Sequence, residues 1–318
     1  MKRRFLPLIL CCLSALALNC FAIDISPDDE NSNAVRPSGV PTQSSHKRTH
    51  KAAPKVRESD DDSAVVSSVP GVVPAVGASS VLVINAQSGQ VLYEKNADQP
   101  RPAASTQKLL TALIVSESGS LDRQVVVQPI DTMAEPVKLN IKSGDTYLRI
   151  DLLRALLVKS PNDVARCLAR DNAGSIEAFA ARMNQRAASL GAVHSHFVNP
   201  NGLPIPGQYS TARDLSLIAR AAYANQTIRS IVCMPQLVFR YANGRTRELE
   251  NTNKLLRRLP YCNGMKTGYT EAAGKCLIAS GSRPGKDVIV VVLGDGTSRI
   301  WRDASALLSW GLWNPSAG

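Results

Sequence analysis

The chain has 318 residues and a formal net charge of +11, with 37 Lys and Arg residues against 26 Asp and Glu residues. A positive surplus of this size suits an anionic polymer or a substrate that ends in a carboxylate. Nucleic acid is disfavoured as a partner, because the basic residues are scattered along the chain rather than concentrated on one helix face.

The first 22 residues have the organisation of a secretory signal. Basic residues precede an apolar run over residues 5–17, and small residues lead to Ala22. The run is short for a membrane-spanning helix but suits the core of a signal peptide. We therefore predict export to the periplasm or cell envelope, with membrane attachment only if the signal is retained. Lipid attachment at Cys20 is disfavoured, because the bulky polar Asn19 precedes it.

Residues 23–77 differ in composition from the rest of the chain. They show no apolar periodicity, and charges of both signs occur in blocks. Such a segment buries too little apolar surface to offset its chain entropy, which predicts a disordered linker. His46 and His50 are isolated residues in this lysine-rich tract and do not indicate a metal site. Residues 78–318 are long enough for one substantial core with two lobes.

The domain begins with a predicted strand pair in SSVLVINAQSGQVLYEKN, which turns at Ser88-Gly89. Helical patterns follow, first at Ser105 and then in IDLLRALLV, PNDVARCLARD, SIEAFAARMNQRAASLG and TARDLSLIARAAYAN. In the last of these, Thr211 and Asp214 are spaced as a capping box. The strand pattern then returns in QLVFRYANGRTREL, GMKTGYT, KCLIASGS and DVIVVVLGD, and a helix in RIWRDASALLSWGLW follows.

This order of elements predicts the fold class. Strands at both ends with helices between them indicate an α/β sandwich of the α+β class, with a mainly antiparallel sheet built from both chain ends. We expect the sheet lobe to contain residues 78–104 and 235–318. The inserted helical lobe is expected to contain residues 105–234.

Four cysteines lie in the domain: Cys167, Cys233, Cys262 and Cys276. No two of them have the spacing of a metal site or of a redox Cys-x-x-C motif. We expect small buried apolar side chains rather than disulfides. The sequence indicates no metal and no cofactor.

Three short motifs carry the chemical argument. In AASTQKLLTALI, Ser105 and Lys108 lie one helical turn apart on one face, although a serine that only caps the helix is the simpler alternative. The same spacing occurs at 44–47 in the linker, so this motif is weak alone. The only Ser-x-Asn of the chain, 160–162, and its only Lys-Thr-Gly, 266–268, follow in order. The ordered set is the signature of penicillin-binding proteins and class A β-lactamases.

At these residues the sequence resembles the D-Ala-D-Ala carboxypeptidase family of low-molecular-mass penicillin-binding proteins. The similarity runs through most of 80–313, in AASTQKLLTALIVSE, FVNPNGLP, YSTARDLSLIARAAY, ENTNKLL, MKTGYTEAAGKCLIASGSR and VVLGDGTSR. The resemblance implies a β-lactamase/transpeptidase-like fold and a D,D-peptidase catalytic domain over 78–318. One departure is Pro161, where the family more usually has Gly or Ala. Proline pushes the preceding Ser160 out of the helical region.

The chemistry begins with the first motif. A serine hydroxyl is a poor nucleophile and needs an adjacent base, which a lysine can be only when it is neutral. Burial and a second cation depress the pKa of a lysine, and Lys266 is the obvious second cation. We therefore predict Ser105 as the nucleophile and Lys108 as its base.

The resemblance implies roles for the remaining site residues. Ser160 would relay a proton to the leaving amine, and Asn162 would hold the amide of the substrate. The third motif, Lys266, Thr267 and Gly268, would bind the substrate and its terminal carboxylate, with Gly264 and Gly268 allowing a substrate backbone to approach the strand. The oxyanion would lie between the backbone N–H groups of Ser105 and Tyr269.

Each of the later motifs also has a purely structural alternative. Residues 160–163 would make an ordinary helix start, with Ser160 as the cap and Pro161 as the first helical residue. Residues 266–268 could be a strand that enters a turn. His194 and His196 have no role in this scheme.

The sequence therefore predicts a serine-type D-Ala-D-Ala carboxypeptidase that acts on peptidoglycan stem peptides and is acylated by β-lactams. A D,D-endopeptidase uses the same residues, and the absence of the family's common C-terminal domain keeps it as the main alternative. A β-lactamase is disfavoured, because the chain has no Glu-x-x-x-Asn. A non-catalytic wall-binding protein is disfavoured, because all three motifs are intact.

Overall fold

The computed structural model describes residues 71–314. The predicted signal peptide, and the predicted linker as far as residue 70, lie outside the described residues. The strands are β1 Ser80–Asn85, β2 Val91–Lys95, β3 Gln124–Val126, β4 Thr146–Leu148, β5 Gln236–Arg240, β6 Thr246–Glu250, β7 Cys262–Thr270, β8 Gly274–Arg283 and β9 Lys286–Asp295. The helices are α1 Lys108–Glu117, α2 Pro129–Thr132, α3 Arg149–Lys159, α4 Asn162–Ala173, α5 Ile176–Ser189, α6 Ala212–Ala224, α7 Gln226–Val232, α8 Leu255–Arg258 and α9 Ile300–Trp313.

Five strands form one sheet in the order β2-β1-β9-β8-β7, and every neighbouring pair is antiparallel. Two of these strands come from the start of the described chain and three from its end, while α1–α8 lie between them in sequence. The central strand β9 contains the run VIVVV at 288–292, which is buried on both faces. Such a run is typical of a strand that is covered on both sides. The predicted α+β fold, with a sheet built from both chain ends, is confirmed.

Two apolar cores cover the two faces of this sheet. Leu82 and Ile84 of β1 belong to the core shared with the inserted helices, whereas Val81 and Val83 belong to the core beneath α9. The two-residue period of a strand produces this alternation. Helix α1 is buried on all sides over 108–115, as expected for the central helix of a domain. A 3-10 turn, Ala104–Gln107, leads into α1 and contacts β7.

Two small hairpins lie outside the main sheet. The pair β3–β4 was not predicted, because each strand has only three residues. The hairpin β5–β6 was predicted within the sheet lobe, but it forms its own two-stranded sheet. Only Phe239 and Leu249 of its strands are buried, so it lacks the apolar faces that a strand of the main sheet requires. Phe239 packs instead against Tyr147, with ring centroids 5.4 Å apart.

The predicted capping box at α6 is half formed. Thr211 Oγ1 accepts a hydrogen bond of 3.0 Å from the N–H of Asp214. The Asp214 carboxylate turns away and accepts from His194 N–H and Ser195 Oγ, both at 2.7 Å. This carboxylate therefore stabilises the loop at residues 194–195 rather than the start of α6.

The cysteines follow the prediction with one exception. All four described cysteines are unpaired, and Cys167, Cys262 and Cys276 are buried. Cys233 is exposed, because it follows the last residue of α7, where the chain reaches the surface.

Within residues 71–314, no helix has the length and apolar character needed to cross a membrane.

Candidate active site

The first motif lies in the 3-10 turn before α1. Ala104 has a left-handed φ of 47°, and the N-cap position belongs to Ala103. No side chain caps this turn, so the capping alternative for Ser105 is wrong. The hydroxyl of Ser105 is directed to other partners.

A loop of the helical lobe holds this turn in place. Gln107 Nε2 donates a hydrogen bond of 2.6 Å to the carbonyl oxygen of Asn199. Gly202 packs so closely that a Cβ at its position would lie 2.0 Å from the carbonyl oxygen of Ala104. Only glycine fits there, both for this contact and for its φ of 83°. The FVNPNGLP segment thus supports the backbone beside Ser105.

Ser105 and Lys108 are in direct contact. Lys108 Nζ lies 2.8 Å from Ser105 Oγ and donates a second hydrogen bond, also of 2.8 Å, to Asn162 Oδ1. Lys108 is fully buried, whereas Ser105 is partly exposed. A neutral amine at this position can accept the hydroxyl proton while it still donates to Asn162. The geometry is that of a nucleophile and its base.

The surroundings of Lys108 favour its neutral form. Burial lowers the pKa of Lys108 well below its ordinary value, and the charge of Lys266 lowers it further. The carboxylate of Asp163 opposes this shift in pKa. The expectation that burial and Lys266 together depress the pKa of Lys108 is confirmed. Burial also lowers the pKa of Lys266, to about 7, so this side chain loses its charge near neutral pH.

The second motif joins α3 to α4. Ser160 follows α3 with a left-handed φ of 66°, Pro161 is the N-cap of α4, and Asn162 is its first helical residue. Ser160 therefore lies outside the right-handed helical region, as its position before proline predicts. The structural alternative, with Ser160 as cap and Pro161 inside the helix, is wrong. Ser160 Oγ is buried without a hydrogen-bond partner among the described residues. Because buried polar groups are normally hydrogen-bonded, this hydroxyl is free to form a hydrogen bond with a ligand.

The side-chain amide of Asn162 forms hydrogen bonds through both its oxygen and its nitrogen. Besides accepting from Lys108, it donates from Nδ2 to the carbonyl oxygens of Glu135, at 3.1 Å, and Pro136, at 3.0 Å. The structure thus gives Asn162 the role of orienting Lys108. Its predicted contact with the amide of a substrate stays a prediction.

The third motif lies on β7, one of the two edge strands of the five-stranded sheet. Lys266 is buried, and its Nζ donates to the carbonyl oxygen of Thr267 at 3.0 Å. Thr267 Oγ1 donates to Thr252 Oγ1 at 2.7 Å. An edge strand has a row of backbone groups without a partner strand, which leaves room for an added peptide.

The two glycines of this strand serve a different purpose from the predicted one. We expected Gly264 and Gly268 to admit a substrate backbone. A Cβ at Gly268 would instead lie 2.9 Å from the backbone nitrogen of Ser105, and a Cβ at Gly264 would lie 2.3 Å from the carbonyl oxygen of Val232. Both glycines therefore permit close packing within the protein, and Gly268 brings the third motif against the 3-10 turn that contains Ser105.

This contact also brings together the two elements that carry the predicted oxyanion donors. The backbone N–H of Ser105 lies in the 3-10 turn, and Tyr269 follows Gly268 on β7. Tyr269 is exposed at the surface, with 55% of its area accessible to solvent. The pair of donors stays a prediction.

Sequence reasoning missed three residues that support the site. Asp163 accepts a hydrogen bond from Leu139 N–H and so holds a loop beside Asn162. The carbonyl oxygen of Asn199 accepts a hydrogen bond from Gln107 Nε2, and Thr252 Oγ1 accepts one from Thr267 Oγ1. Each lies in a segment quoted in the sequence analysis, PNDVARCLARD, FVNPNGLP or ENTNKLL. These residues could have been identified as polar side chains within segments near the motifs, because buried polar groups need hydrogen-bond partners.

Comparisons with known proteins agree with this geometry. The family model for D-alanyl-D-alanine carboxypeptidase matches residues 66–297. The chain is 37% identical over 265 residues to D-alanyl-D-alanine carboxypeptidase DacB2 of Mycobacterium tuberculosis, covering 81% of this chain and 90% of that protein. A D-alanyl-D-alanine endopeptidase of Escherichia coli is 31% identical over 242 residues, covering 74% of this chain and 78% of that protein. The chain spans 58 to 64% of the length of further carboxypeptidases from Bacillus subtilis and Escherichia coli.

A solved structure extends the similarity to three dimensions. An evolved putative penicillin-binding protein homolog from Mycobacterium tuberculosis matches with a TM-score of 0.74 and 36% identity, covering 79% of this chain and 97% of that chain. The range 66–297 includes all three motifs. The chain therefore belongs to the D-alanyl-D-alanine carboxypeptidase family of serine peptidases, among the low-molecular-mass penicillin-binding proteins.

Proposed function

We propose that the protein is a serine-type D-Ala-D-Ala carboxypeptidase that removes the terminal D-alanine from peptidoglycan stem peptides. The proposal rests on the two 2.8 Å contacts that connect Ser105, Lys108 and Asn162. A buried lysine with a depressed pKa is the base that a serine nucleophile requires. The catalytic domain is residues 78–318, and the protein acts after export, in the cell envelope where peptidoglycan lies.

The reaction proceeds through an acyl-enzyme. Ser105 Oγ attacks the carbonyl carbon of the penultimate D-alanine while Lys108 Nζ takes the hydroxyl proton. The backbone N–H groups of Ser105 and Tyr269 stabilise the oxyanion. The peptide C–N bond then breaks, and Ser160 relays the proton that Lys108 has taken up to the amine of the departing D-alanine. Water hydrolyses the ester, which restores Ser105.

Binding of the substrate uses the strand edge and the third motif. Lys266 and Thr267 bind the terminal carboxylate, Asn162 contacts the peptide amide, and the backbone from Thr267 to Tyr269, including Gly268, aligns the substrate beside β7. The basic domain attracts an anionic substrate toward this edge. A β-lactam presents a similar carboxylate and amide and acylates Ser105.

The charge state of Lys266 predicts the pH dependence of the reaction. A carboxylate binds the protonated amine, and the pKa of Lys266 is about 7, so the charge is present below that pH and lost above it. We expect kcat/KM for a peptide with a free carboxylate to decline as pH rises through about 7, because kcat/KM reports the free enzyme. Stopped assays of D-alanine release at a series of pH values would measure this decline, the basic limb of the pH profile.

Two variants test the origin of the basic limb. Lys266→Arg keeps a positive charge at every accessible pH, so the limb should disappear. Lys266→Ala should lower kcat/KM by about tenfold to a hundredfold for the free carboxylate and much less for a C-terminally amidated peptide. An unchanged basic limb in Lys266→Arg would contradict the assignment.

A second candidate function is D,D-endopeptidase activity on peptidoglycan cross-links. The observation that favours it is the similarity to a protein named D-alanyl-D-alanine endopeptidase, of which the matched region covers 78%. Both activities place a carboxylate near Lys266, so charge does not separate them. They differ in the room required beyond the scissile bond, which is one alanine for the carboxypeptidase and a branched side chain for the endopeptidase.

The discriminating prediction compares two substrates. We expect release of D-alanine from a pentapeptide to be faster than cleavage of a cross-linked dimer, with no effect of a metal chelator. Mass spectrometry of the products from the purified full-length protein measures both rates. Faster cleavage of the dimer would make the endopeptidase the primary function.

A further inference from the structure

Asp163, the second residue of α4, is fully buried and has no part in the reaction proposed above. Its carboxylate accepts four backbone hydrogen bonds. Oδ1 accepts from Leu139 at 2.9 Å and Val164 at 3.0 Å, and Oδ2 accepts from Asn140 at 2.7 Å and Ile141 at 3.3 Å. Three of these donors are consecutive residues of one loop. The left-handed φ of Asn140, 65°, helps turn their N–H groups toward a single anion, as in the backbone nests that bind anions.

The same loop is attached to Asn162 at its other end. Asn162 donates from its backbone N–H to the carbonyl oxygen of Val137 at 2.8 Å, and from its side chain to the carbonyl oxygens of Glu135 and Pro136. We call residues 135–141 the clamp loop. Its first half is bound by Asn162, and its second half is bound by Asp163.

This arrangement connects a buried carboxylate to the reacting groups. The clamp loop holds Asn162 Nδ2, which leaves Asn162 Oδ1 directed at Lys108 Nζ, and Lys108 contacts Ser105 Oγ. We propose that Asp163 is a positioning residue for the serine–lysine pair, because it fixes the clamp loop and thereby the orientation of Asn162 against Lys108. The inference rests on the proposed function, in which Lys108 is the base for Ser105.

The charge of Asp163 also contributes to the electrostatics of the base. The charged groups that act on Lys108 are Lys266 from β7 and Asp163 from α4, while Ser105 and Asn162 are neutral partners. Lys266 and burial lower the pKa of Lys108, and Asp163 raises it. Only the neutral amine accepts a proton, so acylation slows as pH falls through this pKa. Removal of the Asp163 charge lowers the pKa of Lys108 further, and the acid limb of the rate therefore moves to lower pH.

The test is the acylation rate constant with fluorescent penicillin, measured on the full-length protein from about pH 5 to about pH 9. Asp163→Asn loses the charge and places an N–H group against backbone donors of the clamp loop. We expect its maximal rate to fall by about 100-fold, since small displacements of catalytic groups have effects of that size. We also expect its acid limb to lie at lower pH than in the unsubstituted protein. Asp163→Glu keeps the charge, so its acid limb should stay near the original position although its rate falls.

The matched control is Asp171→Asn. Asp171, also on α4, has a side chain that is only 5% exposed, and its carboxylate accepts hydrogen bonds of 2.6 and 2.9 Å from Arg149. Its loss should lower the melting temperature and leave the acid limb in place. A purely structural role for Asp163 predicts the same behaviour for both asparagine variants.

Three outcomes separate the possibilities. If the unsubstituted protein is labelled and Asp163→Asn retains both its rate per folded molecule and its acid limb, the positioning role is overturned and the proposed function stands. If the unsubstituted protein is not labelled, the proposed function fails and this inference fails with it. If Asp163→Asn does not fold, hydrogen exchange on the unsubstituted protein decides, because the amides of 139–141 must then be as protected as those of α4. Rapid exchange at these amides would overturn the proposal.

Discussion

Substitution of Ser105 by alanine is expected to abolish both labelling by fluorescent penicillin and release of D-alanine. The loss in kcat should be about 10⁶-fold, the size seen when the nucleophile of a serine peptidase is removed. Peptide mapping of the unsubstituted protein after penicillin treatment should place the adduct on Ser105. The physical reason is that Ser105 Oγ is the hydroxyl in contact with Lys108 Nζ, at 2.8 Å.

The Ser105→Ala protein should remain folded. Ser105 caps no helix, and among residues 71–314 its hydroxyl forms a hydrogen bond only with Lys108 and, at 3.4 Å, with the carbonyl oxygen of Asn201. The loss in free energy of unfolding should therefore be about 1 kcal/mol, which thermal unfolding would measure. Ser116→Ala, on the helix α1 that follows Ser105, and Ser44→Ala, in the other Ser-x-x-Lys sequence, are matched controls that should be labelled normally. An adduct on any other residue would contradict the assignment of the nucleophile.

Much of the fold was predictable because its signals are local. The continuous apolar runs of β1 and β9 each identify a strand without reference to distant residues. Sheet membership is different, because it depends on pairing between distant segments. The hairpin β5–β6 shows this limit. Its turn and strands are evident in QLVFRYANGRTREL, whereas its separation from the main sheet and the packing of Phe239 on Tyr147 appear only in the structure.

The site was predictable in its residue types and only partly in its contacts. Three motifs in a fixed order identified Ser105 and Lys108, which are near each other in sequence. The hydrogen bond from Lys108 to Asn162 spans 54 residues, and Asp163 reaches back 22 to 24 residues to the clamp loop. Such contacts leave no periodicity in the sequence. The requirement for glycine at 268 likewise comes from the packing of β7 on the 3-10 turn that contains Ser105, which only the folded chain reveals.

The second large effect is expected from substitution of Lys108, the proposed base. Lys108→Met keeps the length of the side chain but removes the amine, so nothing remains to accept the hydroxyl proton of Ser105. We expect acylation by penicillin to slow by about 10²-fold to 10⁴-fold, the usual contribution of a general base. The rate constant for labelling, measured on protein shown to be folded by its thermal transition, is the appropriate readout. Addition of Lys108→Met to Ser105→Ala should cause little further loss, because the two groups act as a unit.

Lys108→Arg separates a base from a positive charge. Arginine can donate to Asn162 Oδ1, but it does not lose its proton in proteins and so cannot act as the base. The arginine variant should therefore be as slow as Lys108→Met at every pH. Lys286→Met is the matched control, since Lys286 is also buried, its pKa is also lowered by burial, and its Nζ donates to the carbonyl oxygen of Asn314, so that acylation should be unaffected. A rate for Lys108→Arg close to that of the unsubstituted protein would show that the site needs only a cation beside Ser105, and the proton would then have to leave by another route.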